Sequence, residues 1–193
     1  MALVHFISHP DVVVDPAVPV PRWPLSERGR ERMHLALAQP WVEGIRAVHS
    51  SCEQKAIDGA TILAAYLDLP VHTHAELGEI DRSATGYLPQ PEFEAVADAF
   101  FARPLESVRG WERAIDAQAR ILVAIEYVLA SPRPAGDIAI VSHGAVGGVL
   151  LCALSSVPIS RAHDQPRNPP GGWHFAFDAD TRGLLHGWQR IDD

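Results

Sequence analysis

Residues 3–10 of the chain read LVHFISHP, an apolar and β-branched run that stops abruptly at a histidine and a proline. Such a run is typical of a β-strand. Proline has no N–H to donate to a sheet ladder, so the strand should end at or near His9. In open α/β sheets, active sites form at the carboxyl ends of the strands. On this segment alone, a histidine that merely ends a strand is an equally good explanation of His9.

Two later segments repeat the pattern of a short apolar strand followed by serine and a helix. Residues 45–49 (IRAVH) run into a serine pair, and residues 138–141 (IAIV) run into Ser142, His143 and Gly144. The continuous apolar run at 138–141 is typical of a buried parallel strand. Toward the C-terminus, residues 173–177 and 184–191 alternate around a polar turn, which predicts a hairpin at the sheet edge.

These elements predict an α/β fold, a three-layer α/β/α sandwich with a mostly parallel central sheet. Because the carboxyl ends of parallel strands meet at one edge, His9, His143 and Lys55 should converge there. Each helix that follows a strand also directs its first N–H groups toward that edge, which favours an anion.

Length and composition limit the class of protein. The 193 residues suit a single domain, 1–193, and the net charge of −8 gives no general attraction to nucleic acid or to an anionic membrane. Two distant cysteines indicate neither a disulfide framework nor a zinc ribbon, so a cytoplasmic location is the default expectation. No secretory signal is visible, and a strand followed by a helix explains the apolar residues 138–154 better than a membrane span does.

Three helices and one irregular segment are expected in addition to the small-residue helix predicted at residues 145–154. Ser26 should cap a helix that runs to about residue 38, and two overlapping capping boxes should open a helix that ends near residue 67. Residues 83–110 are less regular and are interpreted as an insertion that forms a cap or lid. A long helix at 111–129 should bury Ile115, Ala119, Leu122, Ile125 and Leu129.

The order of these motifs resembles the histidine phosphatase superfamily, also called the phosphoglycerate-mutase-like family. That family carries Arg-His-Gly after the first strand, then an asparagine, Ser-x-x-x-Arg-Ala, Leu-x-Glu and a late Ser-His-Gly. The matching segments here are residues 8–10 (SHP), 23–29 (WPLSERG), 51–56 (SCEQKA), 77–79 (LGE) and 141–144 (VSHG).

Three positions depart from the family pattern. Ser8 stands in place of arginine, Asp15 occupies the asparagine slot, and Lys55 replaces the second arginine. Lysine keeps the charge but loses the bidentate fork, whereas serine loses the charge. Arg22 is a candidate surrogate cation.

The resemblance implies a phosphomonoester hydrolase that needs neither metal nor cofactor. His9 would attack phosphorus, His143 and Lys55 would offset the phosphoryl charge, and Glu79 would act as general acid and base, with Glu76 as the substitute. The substrate would be a small phosphorylated metabolite or another anion. The expected substrate-binding residues are Ser8, Asp15, Arg22, Ser51, Lys55 and Gly144.

Other interpretations remain open at this point. A degenerate member of the family would bind an anion or a protein partner without turnover, and a homodimer is a further option. Lys55 could be an ordinary solvated lysine, and Glu79 part of an exposed acidic loop. Cys52 is interpreted as a small buried residue rather than a nucleophile. The motif His72-x-His74 lacks a nearby third ligand and is interpreted as an ordinary strand end.

Overall fold

The computed structural model describes residues 2–193. The strands are β1 (Leu3–Ser8), β2 (Ile45–Ser50), β3 (Val71–Thr73), β4 (Asp137–Ser142), β5 (Trp173–Asp178) and β6 (Leu184–Arg190). The α-helices are α1 (Glu27–Ala36), α2 (Gln54–Leu67), α3 (Gln90–Ala102), α4 (Ala114–Ala130) and α5 (Gly144–Leu154). The strands expected from the sequence and the C-terminal hairpin are all confirmed.

The six strands form one sheet in the order β3-β2-β4-β1-β5-β6. β1, β4, β2 and β3 pair in parallel, whereas β5 and β6 are antiparallel to their neighbours. In register, Ser8 lies beside Ser142, and Ser50 lies beside Val141. The carboxyl ends of β1, β2 and β4 are therefore level, and the residues that follow them share one edge of the sheet.

Helices cover both faces of the sheet, which confirms the predicted α/β class. One buried cluster joins Val4 and Phe6 of β1 to side chains of α3, α4 and α5. The opposite cluster joins Ile7 of β1 to side chains of α1 and α2. Because side chains alternate along a strand, neighbouring residues of β1 serve different layers. No helix within residues 2–193 is long and apolar enough to cross a membrane.

The helix starts differ from one another in how they are capped. Ser26 caps α1 as predicted, since its Oγ accepts the N–H of Gly29 at 3.1 Å. The capping boxes predicted for α2 are wrong, because α2 begins later and its N-cap, Glu53, makes no side-chain capping bond. Ser51 stays at the strand end, where its Oγ accepts the N–H of Glu53 at 3.2 Å.

The buried face of α4 also differs from the prediction. The helix buries Ala114, Ala117, Ile121, Ala124, Ile125 and Val128, whereas Ala119 and Leu122 are exposed. Small alanines on the buried face let α4 pack closely on α5, and Gln118 donates to the carbonyl of Val149 across this contact at 2.8 Å. The buried face of α4 is therefore defined partly by small alanines, and not only by the larger side chains on which the prediction was based.

The segment predicted as an insertion contains α3 and the turns on either side of it. Phe100, Phe101 and Val96 of α3 are buried in the same cluster as α4 and α5. Trp111, which follows the segment, is also buried and donates its Nε1–H to the hydroxyl of Thr85 at 2.8 Å. This part of the chain is therefore anchored to the core at both ends of its helix.

Candidate active site

His9 follows β1 and extends its pairing, since its N–H donates to the carbonyl of Ser142 at 3.0 Å. Its Nδ1 lies 2.9 Å from the carbonyl oxygen of Pro10. A carbonyl oxygen only accepts, so this contact places the proton on Nδ1 and leaves Nε2 with a free lone pair. Burial, followed by the charge of Lys55, lowers the pKa of His9 to about 4. The imidazole is therefore neutral near pH 7.

Gly171 and Gly172 pack against the backbone carbonyl of His9. The N–H of Gly172 donates to the carbonyl of His9 at 3.2 Å, and Gly171 has a φ of +64°. A Cβ atom on Gly171 would lie 2.0 Å from the carbonyl oxygen of His9. Only glycine satisfies both the positive φ and this close approach.

Arg32 of α1 holds this glycine segment in place. Its guanidinium donates to the carbonyls of Gly171 and Gly172 at 3.0 and 3.2 Å. It also pairs with Asp11 and Asp192, at 3.0 and 2.8 Å. Arg32 is buried, so these partners replace its lost hydration and tie the loop after His9 to the C-terminus.

His143 is fully buried at the start of α5, with its ring centroid 5.1 Å from that of His9 and nearly perpendicular to it. Its Nε2 lies 2.7 Å from Oγ of Ser51 and 3.4 Å from Oε1 of Glu53. Burial is the largest cause that holds the pKa of His143 well below its ordinary value. Within residues 2–193, its Nδ1 has no hydrogen-bond partner.

Lys55 is buried, so the alternative of an ordinary solvated lysine is wrong. Its Nζ donates to the carbonyl of Val20 at 3.0 Å and to the carboxylate of Glu53. Glu53 also accepts the N–H of Glu79 at 2.9 Å through Oε1. Burial raises the pKa of Glu53, but His143, Lys55 and this N–H bring it to about 2. No role in the site was predicted for Glu53, whose only signal in the sequence is its position two residues before Lys55.

Glu79 lies against the first turn of α5. Its Oε1 accepts the N–H of Val146 at 3.0 Å, and its Oε2 accepts the N–H of Ala145 at 3.3 Å. The helix N–H groups that were expected to face a ligand are therefore occupied by a side chain of the protein. Burial raises the pKa of Glu79. Glu76, the alternative acid, is exposed.

Two polar side chains fix the loop that carries Glu79. The hydroxyl of Ser142 donates to the carbonyl of Leu77 at 2.7 Å. Arg120 of α4 donates to the carbonyls of Glu76 and Gly78 at 2.7 and 3.0 Å. The serine of the Ser-His-Gly segment thus positions a loop that is distant in sequence. Arg120 is a second positioning residue, and no sequence motif indicates it.

The expectations for Ser8 and Cys52 differ from the structure, whereas the binding roles expected of Asp15 and Arg22 stay predictions. Ser8 is buried, and its Oγ bonds the backbone N–H and carbonyl of Trp173, which directs it into β5 rather than toward His9. Asp15 is exposed and accepts the N–H of Ala17 in a local turn at 2.9 Å. Arg22 is exposed as well, and so is Cys52, which was expected to be buried.

A cavity of about 440 Å³ adjoins the site. Its wall includes Glu79, Ala145 and Gly171, each of which contacts the site residues described above, together with Arg82. Gly144 is buried beside this wall, where a Cβ atom would lie 2.2 Å from Nε2 of Gln165. The remaining wall is largely apolar and aromatic, with Trp23, Tyr87, Leu88, Phe93, Phe100 and Phe101 among its side chains.

A separate group of histidines lies at the other side of the sheet, on β2 and β3. Contrary to the expectation for His72-x-His74, a third histidine, His49, is nearby. Nδ1 of His49 lies 2.9 Å from Nε2 of His74, and the ring centroid of His49 lies 5.3 Å from that of His72. Across residues 2–193, however, no group of three or more His, Cys, Asp or Glu side chains has an arrangement that could hold a metal ion.

The fold and site define an α/β protein with two histidines, a lysine and a buried carboxyl group at the carboxyl edge of a mostly parallel sheet. The model of the histidine phosphatase superfamily (branch 1) matches residues 20–182. The chain therefore belongs to the histidine phosphatase superfamily, as the motif order indicated. No curated protein matches the chain.

Solved structures from several bacteria share the fold. Bacillus stearothermophilus YhfR superposes with a TM-score of 0.76 at 23% identity, over 97% of this chain and 95% of that one. The mycobacterial glucosyl-3-phosphoglycerate phosphatase in complex with inorganic phosphate gives a TM-score of 0.76 at 18% identity over 100% of both chains. A putative alpha-ribazole-5'-P phosphatase from Escherichia coli gives 0.69 at 17% identity, over 98% of this chain and 97% of that one.

Proposed function

We propose that this protein hydrolyses a small phosphorylated metabolite through a phosphohistidine formed at His9. One observation carries the proposal: Nδ1 of His9 contacts the Pro10 carbonyl, so Nε2 keeps its lone pair. A nucleophile must be unprotonated, and burial keeps this imidazole neutral by lowering its pKa to about 4. Membership of the family and the fold shared with a mycobacterial glucosyl-3-phosphoglycerate phosphatase support the same reaction class.

The reaction has two steps. In the first, Nε2 of His9 forms a bond to phosphorus as the bond to the ester oxygen breaks, and Glu79 donates its proton to that leaving oxygen. In the second, Glu79 takes a proton from water, the water oxygen bonds to phosphorus, and the nitrogen–phosphorus bond breaks to release inorganic phosphate. The raised pKa of Glu79 suits the donor role, because the carboxyl group holds its proton to a higher pH than an exposed glutamate.

His143, Ser51 and Lys55 are the groups on which we expect the phosphoryl oxygens to bind. They lie together, with Nε2 of His143 2.7 Å from Oγ of Ser51 and Lys55 joined to the same group through Glu53. The carboxylate of Glu53 opposes an incoming dianion in this position. We expect slow turnover from that repulsion.

Glu53 and Ser8 also favour a second candidate, a family member that binds an anion without turnover. Glu53 already partly neutralises Lys55, and Ser8 bonds to Trp173 rather than facing the site. The two candidates differ in one measurable respect. A phosphatase releases inorganic phosphate, whereas a binding protein takes up phosphate or vanadate without hydrolysing any ester.

A screen of generic and metabolite phosphates separates the two candidates. The wild type is compared with His9→Ala and with His34→Ala, which alters an exposed histidine on α1. The proposal predicts hydrolysis by the wild type and His34→Ala and its loss in His9→Ala. Equal hydrolysis by the wild type and His9→Ala would overturn it, and vanadate binding without any hydrolysis would favour the binding protein.

A further inference from the structure

We infer that Arg82 supplies the phosphate-binding guanidinium that position 8 of this chain lacks. The inference rests on the proposed phosphatase function and adds to it a residue of the same site. Arg82 lies three residues after Glu79, on the loop that carries the proposed acid, and both side chains line the same cavity.

The guanidinium of Arg82 has no oppositely charged partner among the described residues. Within residues 2–193 it forms no ion pair, and its side-chain nitrogens donate no hydrogen bond to a protein group; its guanidinium carbon lies 5.0 Å from the centre of the Phe93 ring. The two other arginines of the cavity wall are both engaged, since Arg161 and Arg167 pair with Glu94 at 2.6 and 3.0 Å. An aromatic face stabilises a cation without neutralising it.

Hydrogen bonds hold the backbone of Arg82 in place, whereas its guanidinium has no hydrogen-bond or ion-pair partner within residues 2–193. Its carbonyl accepts the N–H groups of Thr85 and Gly86, at 3.1 and 2.9 Å. The preceding residue, Asp81, donates its N–H to Glu112 at 3.1 Å, and Arg120 holds Glu112 in a two-bond contact. The long side chain therefore extends from an anchored turn, which limits the entropy lost on binding a ligand.

Arg82 is close enough to act electrostatically on the reacting groups. After burial, which dominates, its charge further lowers the pKa of His9 and of His143, and it partly opposes the raised pKa of Glu79. Lys55, by contrast, is already paired with Glu53. An anion that enters the site would therefore encounter two cations: Lys55, which is paired with Glu53, and Arg82, which is unpaired.

The chemistry of the guanidinium suits this role. Its planar fork can donate two parallel hydrogen bonds to two phosphoryl oxygens, which neither a lysine nor the serine at position 8 can do. Arg82 extends from the loop after Glu79 into the wall of the same cavity, whereas the family arginine would come from the end of β1. Arg82 thus compensates for the loss at Ser8.

The test compares Arg82→Gln and Arg82→Lys with the wild type and with Arg103→Gln, which removes an exposed arginine at the end of α3. Vanadate and phosphate affinity are measured by titration, and kcat/KM with p-nitrophenyl phosphate. We expect Arg82→Gln to lose about a hundredfold in kcat/KM and to bind vanadate more weakly, Arg82→Lys to recover part of both, and Arg103→Gln to match the wild type.

Added guanidinium ion provides a readout that a structural role would not move. It should restore part of the activity or of the vanadate affinity of Arg82→Gln and leave the wild type unchanged. Wild-type vanadate affinity in Arg82→Gln, or loss without rescue in a folded variant, would overturn the inference. If the wild type hydrolyses no phosphate ester, the proposed function fails, and the vanadate titrations still decide the role of Arg82.

Discussion

Oε1 of Glu53 lies 3.4 Å from Nε2 of His143, and the other oxygen of the same carboxylate contacts the ammonium group of Lys55. A negative side chain of the protein thus contacts both groups that the family resemblance assigns to the phosphoryl oxygens. The contact satisfies two buried polar groups, but a bound phosphate would have to share them with Glu53 or displace it.

Replacement of Glu53 by glutamine should therefore strengthen anion binding. Two like charges about 4 Å apart repel by roughly 1 kcal/mol even in water, so we expect phosphate and vanadate to bind about fivefold more tightly or better. Isothermal titration of Glu53→Gln against the wild type measures this, with Glu43→Gln as the exposed control. An unchanged or weaker affinity would show that the carboxylate does not oppose the ligand.

Glu79→Gln should reduce kcat by about 10²- to 10⁴-fold, because glutamine keeps the shape but cannot donate the proton. The wild-type rate should fall on the acid side as His9 is protonated near its pKa of about 4. It should fall again on the alkaline side as Glu79, with its raised pKa, loses its proton. The pH profile of Glu79→Gln should lack the alkaline limb.

The matched variant for this comparison is Glu76→Gln, which alters the exposed neighbour in the same loop. The assignment predicts that Glu76→Gln keeps both limbs of the profile. Loss of the alkaline limb in Glu76→Gln, with retention in Glu79→Gln, would transfer the acid role to Glu76.

The expectations that hold for the fold are those that depend on the order of apolar runs. Residues 3–10, 45–49 and 138–141 are recognisable as strands because their apolar runs end at polar or proline residues. The level ends of these strands follow from parallel pairing, which is why His9 and His143 lie together. The positions of these strands along the chain and the family motifs were therefore readable from the sequence, whereas the order of the strands in the sheet was not predicted.

The features that could not be predicted depend on where side chains point. Glu53 occupies an unspecified position of the segment 51–56, and Arg82 lies outside every motif segment. Only the packed structure shows that Glu53 is paired with Lys55 and that Arg82 is unpaired. Ser8 stands in a motif position, yet its hydroxyl bonds to the backbone of β5. A spacing pattern identifies the edge of the sheet but does not identify the partner of each polar atom there.

Removal of Arg32 should destabilise the protein strongly. Arg32→Ala would leave Asp192 and the carbonyls of residues 170–172 without their buried donor, and breaking a buried ion pair typically costs about 3–5 kcal/mol. Urea unfolding should show this loss, whereas Arg28→Ala, which alters a mostly exposed partner of Asp11, should change stability by less than about 1 kcal/mol. Similar stabilities for both variants would contradict a supporting role for Arg32.

Stability should fall as the pH drops below neutrality. Burial lowers the pKa of His9 to about 4 and that of His174 to about 3, from 6.5 in the unfolded chain. Below pH 6.5 the unfolded chain therefore takes up protons that the folded chain does not. The loss continues down to about pH 4 for His9 and to about pH 3 for His174. Thermal unfolding between pH 7.5 and 4.5 measures it, and His174→Phe should show a flatter decline. A stability independent of pH in this window would contradict the buried neutral histidines.

The most direct test of the central claim is to trap the covalent intermediate. The protein is mixed with a hydrolysable phosphate ester, quenched in alkali, which preserves phosphohistidine, and digested for mass spectrometry. We predict one added phosphoryl group on the peptide that contains His9, with none in His9→Ala and full labelling in His34→Ala. Turnover without a label on His9, or a label on another residue, would contradict the mechanism.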